Sequence, residues 1–167
     1  MMEPWTNDAI SALQAHLDSF GDGSINIFDR DYRYLATGGD GLPRVGLTPE
    51  ILTGHSLWEL FPRPSVQAVH RYYRRAFAGH RVTFTLRVFD FDYYISAAPF
   101  SRSVDGVESI VAVAVDVTDV GITRFEELVD RMRHGIATVS EIATHRSART
   151  QVNRRSGVPA ARRVNKP

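Results

Sequence analysis

Residues 109–115 read Ser-Ile-Val-Ala-Val-Ala-Val, an apolar run that ends abruptly in Asp116-Val117-Thr118-Asp119. A short run rich in β-branched side chains and bounded by turn formers is a buried strand. The acid-x-Thr sequence stops it. From Ile122 the apolar residues recur at steps of three and four, the spacing of a helix. Whatever fold this chain adopts must bury a late strand and pass from it almost directly into a helix.

The rest of the chain falls into elements of the same clarity. Ile10, Leu13, Leu17 and Phe20 predict an amphipathic helix over residues 6–20, closed by Gly21-Asp22-Gly23. Residues 24–29 and 32–37 read as two strands around an Asp29-Arg30-Asp31 turn. Gly38-Gly39-Asp40-Gly41 and Pro43 break the chain. Thr48-Pro49-Glu50 opens a short helix with a Thr cap and Pro at its first position. A second short helix covers 56–61. Residues 65–78 form the longest internal helix, with Val66, Val69, His70, Tyr73 and Phe77 on one stripe. Three strands follow over 81–89, 91–99 and 107–117, turned at Asp90 and Asp105-Gly106. Two strands, a group of short helices and three more strands make an α+β domain with a five-stranded antiparallel sheet. Strands three to five are expected to form a meander. The helices are expected to cover one face of the sheet, because its strands need one side buried.

Composition narrows the function. The 167 residues are 43% hydrophobic and 23% charged, enough for one core with extensions. The chain has no cysteine, which excludes disulfides, thiolate metal sites and cysteine nucleophiles. Met1-Met2-Glu3-Pro4-Trp5 has no basic region leading into an apolar stretch, and no apolar run approaches the ~20 residues of a membrane helix. A cytoplasmic protein without a membrane segment is expected. No nucleophile–base pair, phosphate loop or metal constellation is present, so the chain is not read as an enzyme and no metal is expected. The net charge of +1 is unevenly spread: residues 131–167 carry nine Lys and Arg against Glu141 alone.

Tyr34-Leu35-Ala36-Thr37-Gly38-Gly39, Gly46-Leu47-Thr48-Pro49-Glu50, Gly54, Leu60-Phe61-Pro62, Tyr73-Arg74-Arg75-Ala76-Phe77-Ala78-Gly79 and Asp116-Val117-Thr118 stand in an order that resembles a PAS domain of the bacterial sensor type. The resemblance runs from Ser24 to Asp119. It implies a module that senses and relays, that usually dimerises, and that passes strain from its sheet into flanking helices. Many such domains carry Asn after the second strand; Gly39 stands near that place here. The chain then divides into an N-terminal amphipathic helix (1–23), the sensor domain (24–119), a C-terminal signalling helix (120–146) and a basic tail read as disordered (147–167).

Ile122, Phe125, Val129, Met132, Ile136, Val139 and Ala143 follow a 3-4 heptad seam. Two readings are open: a helix paired with a second copy in a homodimeric coiled coil, or a single helix packed on its own domain. The pairing is the expectation, with Ile122 through Val139 at the dimer interface. Residues 130–143 also resemble the phosphoacceptor helix of HWE-type histidine kinases, matching at Arg131, Ala137, Val139, Ile142 and Ala143. Asp130 stands at the phosphoacceptor position and His134 at an Asn position. An Asp side chain cannot replace an imidazole phosphorylated on nitrogen, and only residues 144–167 follow, too few for a nucleotide-binding domain. The resemblance implies a degenerate or truncated kinase helix and a place in a two-component system.

A small apolar ligand cavity is expected between sheet and helices. Ile27, Tyr94 and Val113 are assigned to it from the sheet, and Leu57, Val69 and His70 from the helices. Of Tyr93 and Tyr94, one points in and one out. The ligand itself is not assigned. By analogy with haem-binding members of the resembled family, His70 offers an alternative, an axial ligand in a gas or redox sensor; a flavin photosensor would need a cysteine. Asp116 and Thr118 are expected to cap the final helix and brace the strand-to-helix joint, and so to relay the signal. A signalling protein is the expected partner besides the second copy. The basic residues Arg149, Arg154, Arg155, Arg162, Arg163 and Lys166 offer a further alternative, a nucleic-acid-associated regulator, but no helix-turn-helix pattern or aromatic platform accompanies them.

Overall fold

The structure, a computed structural model, describes residues 7–155, with side chains from 11 to 142. Helix α1 (Asn7–Asp18) precedes strands β1 (Gly23–Asp29) and β2 (Tyr34–Gly38). Short helices α2 (Gly41–Arg44), α3 (Pro49–Leu52) and α4 (Leu57–Leu60) lead to α5 (Arg63–Phe77). Strands β3 (Val82–Val88), β4 (Phe91–Ser103) and β5 (Gly106–Asp116) then lead to the long helix α6 (Ile122–Arg155).

Local chemistry sets these limits. The Asp29 carboxylate accepts from the backbone N–H of Asp31 at 2.9 Å and of Arg33 at 3.0 Å, closing the β1–β2 turn. The Thr48 hydroxyl accepts from the Ile51 N–H, and Pro49 opens α3. The Glu59 carboxylate reaches back to the Ser56 N–H at 2.6 Å and fixes the start of α4.

The sheet order is β2-β1-β5-β4-β3, with every pairing antiparallel. Strands three to five form the expected meander, and β1 lies against β5 at the centre. Both faces of the sheet are covered. Helices α2 to α5 pack on one face around Phe28, Leu52, Val66, Val69, Tyr73 and Ala76. Helices α1 and α6 pack on the other, over Ile25, Ile27, Val111, Val113 and Val115. That second layer explains the uninterrupted apolar run of β5, since neither of its faces meets water.

Helix α6 lies close to the sheet because of Gly135. A Cβ there would stand 3.1 Å from the Ile25 Cδ1 and the Phe20 ring. Leu128, Met132, Ile136 and Val139 are 0–3% exposed in this layer, each worth about 2 kcal/mol of burial. The heptad seam is therefore spent inside the protomer. Met132, Ile136 and Val139 are buried, Phe125 and Val129 are half-buried, and Ile122 lies open, at 82% exposure, alone among the seam residues with described side chains. This is the single-helix reading, and it removes these buried residues from any intermolecular seam. The helix also runs to Arg155 rather than ending at 146. No Gly or Pro interrupts residues 147–155, and extending a nucleated helix needs little more; high positive charge had been read as disorder. Residues 156–167, with Arg162, Arg163 and Lys166, lie outside the described residues. Among the described residues no helix is long and apolar enough to cross a membrane.

Candidate functional site

Between the sheet and helices α2 to α5 lies a cavity of about 270 Å³. Asn26, Phe28, Tyr93, Ile95 and Ala114 line it from the strands, and Leu42, Leu52, Leu57, Val66, Val69 and Tyr73 from the helices. The space arises from β5. Its inward residues include Ala112 and Ala114, whereas its outward ones are Val111, Val113 and Val115. Small side chains on one face leave room that large ones fill on the other.

The cavity wall contains aromatic rings and few polar atoms. Phe28 packs on Tyr34 at 4.5 Å between ring centroids and on Tyr73 at 5.5 Å. Burial pushes the Tyr34 phenol well above its ordinary value of 10.0. Burial does the same to Tyr73, reinforced by the neighbouring Tyr34 and Tyr32 phenols. Tyr93 is raised by burial and then by the negative charge of Asp116, which stands opposite it in the β4–β5 pairing. On β1, Asn26 donates to the Ser24 hydroxyl at 3.1 Å and to the Ala112 carbonyl at 3.3 Å, and accepts from the Thr37 hydroxyl at 2.6 Å. The charged lining groups, Asp22, Arg44 and Asp116, are all at least partly exposed.

Two of these rim residues are tied to the chain that leaves the domain. The Thr118 N–H donates to the Asp116 carboxylate at 2.9 Å, and the Thr118 hydroxyl accepts from the Asp92 N–H at 2.8 Å. The Val117 N–H also bonds the Asp92 carbonyl at 2.8 Å. These bonds pin the end of β5 to the start of β4. They do not cap α6, which begins only at Ile122; the bracing half of the expectation stands and the capping half does not. Asp22 holds the helix instead. Its carboxylate accepts from Arg124 at 2.7 Å and pairs with Arg131, two turns further along the same face of α6. Asp22 itself sits at φ 67° between α1 and β1. Opposite that bend, Gly39 at φ 127° brings its backbone against the Gly23 carbonyl, where a Cβ would overlap; a side chain such as Asn has no room there.

Of the residues expected at the cavity, Leu57 and Val69 line it. Ile27, Tyr94 and Val113 do not, and the assignment is corrected: all three face the α1–α6 layer, where Tyr94 meets the Phe125 ring edge-on at 5.0 Å. Side chains alternate along a strand, so a choice one residue out moves each of them to the opposite face. Tyr93 is the inward tyrosine. His70 does not line the cavity either. Its Nδ1 is 2.6 Å from the Tyr32 hydroxyl, and its ring lies 5.5 Å from that of Tyr32 and 6.2 Å from that of Trp58. The residues thus do not fit a haem, since the histidine assigned to the iron is bonded elsewhere. Among the described residues no cluster of three metal-binding groups occurs.

Asn26, Tyr34, Tyr73 and the Asp22 clamp were missed. Ser24 and Asn26 alternate with Ile25 and Ile27, which ordinarily marks a solvent-facing set. With both sheet faces covered, the polar set turns to the cavity.

The chain matches the family model described as PAS fold over residues 17–120. It is similar to the crystal structure of a Rhodobacter sphaeroides LOV protein, at 14% identity over 92% of this chain and 100% of that one, with a TM-score of 0.59. It is similar also to the PAS domain of Bordetella pertussis BvgS, at 15% identity over 77% of this chain and 98% of that one, with a TM-score of 0.50. A sensory box sensor histidine kinase from Vibrio cholerae aligns at 21% identity over 65% of this chain and 89% of that one, with a TM-score of 0.46. No curated protein matches the sequence. Likeness at these identities is one of fold, and the family match spans more than half of the chain. With the sheet order, the helix-covered cavity and this match together, the chain belongs to the PAS fold family.

Proposed function

We propose that this protein is a non-catalytic, cytoplasmic sensor module that takes a small molecule into the helix–sheet cavity and relays its presence to a signalling protein through α6. One observation carries the reading. Asp22 lines the cavity and also holds Arg124 and Arg131 of α6. Asp116 lines it too, and its carboxylate fixes the strand end from which α6 departs. A ligand that moves this rim changes what the helix is tied to.

Magnitudes define the kind of relay. The arginines of the clamp are 41% and 50% exposed, so the clamp is a weak, solvent-screened tie. The burial of Leu128, Met132, Ile136 and Val139 holds α6 far more firmly. Occupation of the cavity therefore biases the seating of the N-terminal half of α6 and does not detach the helix. The likeness of residues 130–143 to a phosphoacceptor helix fits an output role, with Asp130 exposed and Val139 turned to the sheet. A homodimer joined through α6 is proposed only on what the protomer leaves open, Ile122 foremost; light scattering at high micromolar concentration tests it, and a monomer mass would remove it.

The relay is tested by hydrogen exchange. Asp22→Asn keeps the shape of the cavity wall and weakens the hold on both arginines. Amides in residues 122–134 are expected to exchange roughly threefold to fivefold faster, while β5 is unchanged. Unaltered exchange in α6 would sink the proposed route.

A further inference from the structure

Most of the cavity wall is hydrocarbon, which any apolar guest would satisfy. Two atoms break that rule. Tyr34 is 6% exposed and Tyr73 4%, both side chains line the cavity, and neither hydroxyl is hydrogen-bonded to any described residue. Both tyrosines pack against Phe28, and their hydroxyls open onto the cavity space rather than being sealed in the core. The other buried polar side chains of the wall, Ser24 and Asn26, are bonded to each other, and Asn26 is bonded to Thr37 and Ala112 as well. The two phenols are thus the lining tyrosine donors left for a guest.

Resting on the reading of this cavity as the ligand site, we propose that it takes a small uncharged ring compound bearing a hydrogen-bond acceptor, such as an aryl ketone, aldehyde or quinone, which receives hydrogen bonds from Tyr34 and Tyr73. Three observations define that class. Size comes first: about 270 Å³ lies above the roughly 150 Å³ that holds benzene and just below the ~300 Å³ at which drug-sized pockets begin, so one substituted ring fits. Shape follows from Phe28, Tyr34 and Tyr73, whose rings offer faces and edges to another ring. Charge is excluded by the wall itself. Its one cationic lining residue is the exposed Arg44, with Asp22 and Asp116 as its acids, so an ionised guest among the buried side chains would be desolvated without a counter-ion. Both phenols remain protonated at neutral pH and can donate.

Isothermal titration with three probes tests this: acetophenone, isopropylbenzene (the same outline without the acceptor) and benzoate (the acceptor with a charge). Acetophenone is expected to bind, isopropylbenzene about tenfold more weakly, and benzoate not at all. Tyr34→Phe and Tyr73→Phe should each weaken acetophenone about fivefold to tenfold and leave isopropylbenzene unchanged. Both variants should fold with a Tm close to that of the parent, because each removes only a hydroxyl that faces the cavity and keeps the ring packed on Phe28. Equal binding of acetophenone and isopropylbenzene, indifferent to the phenols, would overturn the acceptor assignment while leaving the cavity a ligand site. Preference for benzoate would overturn the uncharged class. Binding of none of the three would overturn the proposal outright. The relay through Asp22 is judged separately, by exchange in protein without ligand.

Discussion

Tyr34 and Tyr73 also carry a pH signature. An unfolded chain ionises its tyrosines near 10, whereas the folded protein keeps these two protonated well above that. Their contribution to stability is complete below pH 10 and is lost as the pH climbs beyond it, because unfolding then releases protons. The unfolding free energy is expected to fall above pH 10 by up to about 1.4 kcal/mol per pH unit for each phenol. Denaturant titrations across that range check it, and the Tyr34→Phe/Tyr73→Phe double variant should lose most of the dependence. His70 makes a different point. A polar side chain on an apolar helix face suggests that His70→Leu would be tolerated or mildly stabilising. The bond from its Nδ1 to the Tyr32 hydroxyl reverses the sign, since Leu leaves that hydroxyl without its ring partner. His70→Leu is expected to cost about 1 kcal/mol, with a much smaller cost in a Tyr32→Phe background. Equal costs in both backgrounds would refute the pairing.

At the scale of elements, α6 decides between two readings of one stripe. A heptad seam and a surface helix share their first positions, and differ in what covers them. Here the sheet and α1 do. Ile136→Asp is therefore expected to lower the stability of the protomer itself by about 3 kcal/mol, because it buries an unpaired charge in the core between the sheet and the α1–α6 layer. Ile122→Asp, at an exposed position, should stay within about 0.5 kcal/mol of the parent. Thermal unfolding of the two variants separates the readings: similar small losses for both would favour an intermolecular seam.

For the whole molecule, the prediction concerns phosphate. In the proposed likeness of residues 130–143 to a phosphoacceptor helix, Asp130 takes the place of the histidine. No labelled phosphate is expected to reach this chain from ATP, and labelling of the purified protein would refute the non-catalytic reading. One ion pair is equally telling at this scale: Asp22, at the joint between α1 and β1, holds Arg124 of α6 across 102 residues of chain.

The kinds and order of the elements were legible in the sequence, because they follow from local rules. Periodicity separated α5 from β3, Thr48-Pro49 opened α3, and Gly79 closed the long helix at φ 105°. Helix α2 was missed, since Gly41 and Pro43 read as breaks although Leu42 is buried between them. Which face each strand presents was not legible. Ile27 and Val113 are as apolar as Phe28 and Ala114, and in a sheet covered on both sides hydrophobicity no longer marks the inward face. The same limit hid the site. Tyr34 and Tyr73 are separated by a turn and three helices, and only the packing of α5 over the sheet, on β3, β4 and β5, brings their rings to one cavity. Asp22 becomes a clamp only once α6 returns across the sheet. Short-range stereochemistry determined the pieces; the tertiary structure decided which side chains share a space, because that depends on distances between residues far apart in the chain.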